Sequence, residues 1–190
     1  MQPEQRKPDL KFEFLTEHSS FLCSEYQQKR EEWRCSSFSW FRDHPPARKS
    51  SICRKLISAW LRDEGFEVTP VKGKEADCEV NGFRVKIKLS MLWEQKRYVF
   101  QQIKDQNYDL MICFGISPFE AHAWVLSKSF VLEGWDKLPD FKTQHAGKSG
   151  KDTAWIHVDA GSPHEWLNEK GGDLSTALMV LRRELEAKNL

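Results

Sequence analysis

The sequence has no long apolar run, no CxxC pair and almost no net charge. No stretch approaches the roughly 20 apolar residues that a membrane-spanning helix needs. The five cysteines (Cys23, Cys35, Cys53, Cys78, Cys113) lack the spacing of a zinc ribbon or a dithiol redox motif. His18, Cys23, Cys35 and His44 match no common zinc pattern either. An odd cysteine count without an apolar N-terminal segment points to a reducing, cytoplasmic compartment. A formal charge of +1 over 190 residues excludes a globally basic nucleic-acid footprint, so any such footprint is local. The apolar fraction is 39%, with 12% aromatic, which supports a core and argues against disorder.

Residues 1–48 are polar and aromatic and are expected to form a helical N-terminal extension, closed by Pro45-Pro46. Residues 49–190 are expected to form one core with a C-terminal helix. A helix is predicted from Ser50 or Ser51, with Ile52, Leu56, Ile57, Trp60 and Leu61 on one face and Gly65 as its stop. Short strands follow at "FEVTPV", "DCEV" and "FRVKIKL", then a polar helix near "YVFQQIKDQ", then strands at "LMICFGI" and "AHAWVLS". The segment "KTQHAGKSGKDT" is expected to be a basic loop. The last helix carries Leu174, Leu178, Leu181 and Leu185 on one stripe. This order gives an α/β (α+β) fold with a mixed central sheet flanked by helices. No repeat and no low-complexity segment is present.

Asn81-Gly82 between two alternating strands is a strong signal for a two-residue hairpin turn. Strands 75–80 and 83–89 would then pair Val80 with Phe83, Glu79 with Arg84, Cys78 with Val85, Asp77 with Lys86 and Glu75 with Lys88. Side chains alternate along a strand, so the charges share one face, while Val85 and Ile87 are buried on the other. Opposite-charge pairs on a solvated face would each contribute a few tenths of a kcal/mol.

The order helix, Asp on one strand, Lys on the next, a Gln-bearing segment and a strand with Gly resembles the PD-(D/E)xK nuclease superfamily, the restriction-endonuclease-like fold. The resemblance covers roughly residues 50–127 and rests on a short motif. It implies a Mg2+-dependent or other divalent-cation-dependent endonuclease of the restriction type, acting on double-stranded DNA as a homodimer. Asp77 matches the first acid and Lys88 the lysine that assists hydrolysis. Lys86 occupies the position of the second acid, so "K-I-K" stands where the family has "E-x-K" or "D-x-K". Two accounts follow: Glu79 supplies the second carboxylate, or the chain is an inactive form. The implied metal ligands are Asp77, Glu79 and the Ile87 carbonyl, and the implied catalytic set is Asp77, Glu79, Lys86 and Lys88.

Gln102 and Gln106, one turn apart on the predicted helix, and Tyr108 match a Gln and a Tyr that approach the phosphate in some relatives of that superfamily. Lys96, Arg97, Lys148, Ser149 and Lys151 are the remaining candidate DNA contacts. The "GKS" at 147–149 is no P-loop, because Lys142 stands where the first Gly belongs. His122 alternates with apolar residues and is expected to be a satisfied core or edge residue. Three functions compete: an endonuclease, a DNA-binding module with a dead nuclease centre, and a protein-interaction domain.

Overall fold

The computed structural model describes residues 14–20, 22–23, 31–93, 95–144 and 152–187. Residues 14–20 and 22–23 are helical, and two further short helices, α1 (Glu31–Arg34) and α2 (Ser39–Arg42), precede the long α3 (Pro46–Asp63). Trp33 in α1 and Phe41 in α2 are buried in the same core as α3. The third helix starts at Pro46 rather than at Ser50 or Ser51. Pro46 has the fixed φ of a first helical residue and lacks the N–H that would go unpaired there, so both serines fall inside the helix. Cys53, Ile57 and Leu61, spaced by four, are its buried stripe. Gly65, at φ +86°, ends it. Its N–H donates to the Arg62 carbonyl, and the N–H of Phe66 donates to that of Leu61.

The strands β1 (Val68–Pro70), β2 (Cys78–Val80), β3 (Phe83–Met91), β5 (Leu110–Ile116), β6 (Ala121–Ser127) and β9 (Gly171–Gly172) form one mixed sheet in the order β1-β2-β3-β5-β6-β9. The β3–β5 pair is parallel and the other pairs are antiparallel. Asn81 and Gly82 both have positive φ, as the expected hairpin turn requires. Its register pairs Val80 with Phe83, Glu79 with Arg84 and Cys78 with Val85, as the sequence implied. The second strand is shorter than expected and begins at Cys78, so Glu75 does not face Lys88 across a ladder.

One face of this sheet packs on α3 and on the C-terminal helix α6 (Leu174–Ala187), burying Val85, Ile87, Ile112, Phe114, Ala177, Leu181 and Leu185. Asp173 caps α6 by accepting from the Thr176 N–H. The opposite face is covered differently from the sequence expectation. "YVFQQI" is a strand, β4 (Arg97–Ile103), and not a polar helix. It joins β8 (Ala154–Asp159) and β7 (Phe141–Thr143) in a second sheet of order β4-β8-β7. Tyr98, Phe100 and Ile103 are fully buried between the two sheets, which outweighs any helical preference of the glutamines. The predicted basic loop is therefore partly a hairpin, β7 to β8, whose connection (145–151) lies outside the described residues. Helices α4 (Lys128–Gly134) and α5 (Glu165–Asn168) complete the second layer. Among the described residues no helix is long and apolar enough to cross a membrane.

Candidate functional site

Alternation along β2 and β3 sends Cys78, Val85 and Ile87 to the helical face and Asp77, Lys86 and Lys88 to the face beneath the second sheet. Parallel pairing sets Lys86 beside Met111 and Lys88 beside Cys113, both members of the inter-sheet core. The charged face of the hairpin is thus largely covered. Only 14% of the Lys86 side chain and 12% of that of Asp77 are exposed.

Asp77 is the hub. Its Oδ2 accepts from the Ile87 backbone N–H at 2.8 Å and lies 3.5 Å from Lys86 Nζ. Its Oδ1 lies 3.5 Å from Arg54, which reaches over from α3. Asp77 also donates its own N–H to the Val85 carbonyl. The carboxylate thereby takes over the ladder position that ends β2. Lys86 Nζ donates to the Lys74 carbonyl at 2.9 Å.

Lys88 is placed by the turn between β3 and β4. Trp93 N–H donates to the Arg97 carbonyl, Val99 N–H to Ser90 Oγ, and Lys88 Nζ to the Gln102 carbonyl at 2.6 Å, so β4 folds back along β3 as in a hairpin. Gln102 adopts φ +55° at the bulge between Phe100 and Ile103, which turns its carbonyl toward the amine. Burial lowers the pKa of the Lys88 amine to about 8, helped by the repulsion of Lys86 and Lys104 and opposed by Asp77 and Cys113.

The hairpin thus brings Asp77, Lys86 and Lys88 together, as the sequence implied. Glu79 shares their face but lies two residues from Asp77, about 7 Å along the strand, opposite Thr69 and Arg84. Arg84 turns its guanidinium to the Asn107 carbonyl instead. Gln102 reaches the site through its carbonyl, not its side chain. Gln106 is not one turn from Gln102, because β4 is extended; its carbonyl accepts from Lys128 at the far end of the second layer. Tyr108 is buried in the inter-sheet core with the Lys128 amine over its ring. Lys96 and Arg97 sit exposed at the β3–β4 turn beside the exposed Trp93, and Arg97 pairs with Asp159. Lys148, Ser149 and Lys151 lie outside the described residues. His122 accepts or donates at Nδ1 to the Tyr98 hydroxyl, 3.0 Å away, and stacks on Trp124, as a satisfied residue should. Among the described residues His18 stacks on Phe14, His44 packs on Trp40, and Cys23 and Cys35 are exposed.

One similar solved structure is that of a bacterial homing endonuclease. It is 12% identical, with 77% of this chain and 100% of that chain covered and a TM-score of 0.46, which is too distant to bear on function here. No family profile and no curated protein matches the sequence.

Arg54, Lys74 and Lys104 were invisible to motif reading. They come from the exposed side of α3, from the loop before β2 and from the residue after β4. Together they change the electrostatics of the site. Arg54 and Lys86 pair with the Asp77 carboxylate, and Lys88, on which Lys86 and Lys104 both act, leaves the same strand face. Among the described residues no group of three His, Cys, Asp or Glu side chains is placed to hold a metal ion. A divalent ion about 4 Å from the Lys86 ammonium would be repelled by about 8 kcal/mol at an effective dielectric near 20. The residues present do not fit a metal centre.

Proposed function

We propose that the chain grips duplex DNA through its backbone phosphates and belongs, by its plan, with restriction-type endonucleases whose hydrolytic centre is halted in this sequence by Lys86. The observation that carries this reading is the convergence of Asp77, Lys86 and Lys88 on one covered face, with Arg54 closing the cluster. Asp77 and Lys88 stand where a hydrolytic centre keeps its first acid and its lysine, and an amine stands where it keeps its second acid. Trp93, Lys96 and Arg97, exposed at the β3–β4 turn, add one aromatic and two basic side chains suited to a DNA backbone and its bases. The active form of such a centre would require Mg2+ or a similar cation, and a homodimer would place one centre on each strand.

The test is a cleavage assay on plasmid and short duplex DNA with Mg2+ or Mn2+. It compares the chain, Lys86→Glu, and Lys86→Glu combined with Asp77→Ala. We expect no cleavage by the chain, Mg2+-dependent nicking or cutting by Lys86→Glu, and loss of that gain in the double variant. Cleavage by the unaltered chain that disappears in Glu79→Ala would make Glu79 the second acid and overturn the reading.

A further inference from the structure

The Lys86 ammonium is held by two oxygens of the kind a hard cation selects. One is the Lys74 carbonyl at 2.9 Å and the other is Asp77 Oδ2 at 3.5 Å. The same Oδ2 is already committed to the Ile87 N–H, and Oδ1 faces Arg54. The ammonium and the Ile87 N–H between them use both acceptor directions of Oδ2, which an ion from solution would have to take over.

Building on the DNA-binding reading, we infer that the Lys86 ammonium takes the place of a divalent cation, so that this chain holds a DNA phosphate without any metal ion. Three arguments support it. The amine nitrogen is fixed between hard oxygens rather than swinging in solvent, because its four-carbon stem lies in the covered inter-sheet face. An ammonium has three N–H donors, and one is spent on the Lys74 carbonyl and another is directed at Asp77, which leaves one for a ligand. The cations Arg54, Lys86 and Lys88, with Lys104 close enough to act on Lys88, outnumber the carboxylates Asp77 and Glu79 of this face, so the hub is net positive and attracts an anion. A divalent cation would supply such a bridge between carboxylate and phosphate, with two charges instead of the ammonium's one, but only when present. The lysine supplies it permanently.

The test is binding of a labelled duplex of mixed sequence by fluorescence anisotropy at constant ionic strength, in EDTA and in Ca2+ or Mg2+. The chain is compared with Lys86→Arg, Lys86→Met and Lys86→Glu, each checked for folding by circular dichroism. The chain and Lys86→Arg should bind equally in EDTA and in divalent salt, within about twofold. Lys86→Met should bind roughly tenfold more weakly in both, the loss of one charge-assisted hydrogen bond. Lys86→Glu should bind weakly in EDTA and recover at least about tenfold when Ca2+ is added. The inference is overturned if the unaltered chain needs a divalent ion to bind, a result that needs no variant to fold. It is also overturned if folded Lys86→Met binds as tightly as the chain in EDTA. If the chain binds no DNA under any condition, the DNA-binding reading itself falls, and this inference with it.

Discussion

Removing the Lys86 charge should release the amine of Lys88. Burial is the first cause of the low Lys88 value of about 8, and Lys86 is the second. The two side chains leave the same face of β3 two residues apart, about 7 Å along the strand. At that separation and an effective dielectric near 20, their repulsion is worth about 2 kcal/mol, on the order of 1.5 pK units. Solvent reaching the open side of the hub screens part of it, so Lys86→Met, which keeps the stem and drops the charge, should raise the Lys88 value by roughly one unit. The other groups facing Lys88 are Asp77, Lys104 and Cys113, and burial holds the Cys113 thiol up at about 12, so it stays neutral throughout. The readout is NMR of the lysine side-chain nitrogens across the alkaline range. DNA affinity gives a second readout: it should fall as pH rises through about 8 in the chain, and the fall should move to higher pH in Lys86→Met. Stability has the opposite sign. The native amine loses its proton before the unfolded one, whose ordinary value is near 10.5, so the unfolded state binds more protons between about pH 8 and 10.5 and stability rises across that window. A Lys88 midpoint that stays put or moves down in folded Lys86→Met would refute the electrostatic account of the hub.

Asp77→Ala should cost about 2 kcal/mol in urea unfolding, because the Ile87 N–H loses its acceptor and two neighbouring cations lose their counter-charge; an unchanged midpoint would mean the hub is not coupled to the fold. Gly115→Ala should be destabilised by roughly 1–3 kcal/mol, since a Cβ there would sit 2.8 Å from the Tyr98 ring, and thermal denaturation reads this directly. Tyr98→Phe leaves His122 Nδ1 without its hydroxyl partner and should cost about 1 kcal/mol by the same measurement. Replacing Lys148 and Lys151 by alanine should weaken DNA binding evenly across sequences and flatten its salt dependence, which a salt titration of the anisotropy signal checks.

The hairpin was legible because its determinants are local. Asn81 and Gly82 take positive φ, period-two alternation assigns each neighbour a face, and the register follows by counting. The same locality made α6 legible through its leucine stripe and Gly65 legible as the stop of α3. "YVFQQI" was different. A short run with apolar residues at 98, 99, 100 and 103 has no period that separates strand from helix, and it is a strand because two sheets close over Tyr98, Phe100 and Ile103. That packing turns the Gln102 carbonyl onto Lys88 and covers a face that the sequence alone presents as solvated. Arg54 meets Asp77 across 23 residues of chain, and the Lys74 carbonyl meets Lys86 across 12. No spacing rule encodes such meetings, because they depend on where α3 and the loop before β2 come to rest against the sheet. The sequence by itself determined which side chains share a strand face. Only the tertiary structure decided which of them are taken out of water and what stands opposite, and those two facts set the charge of the site.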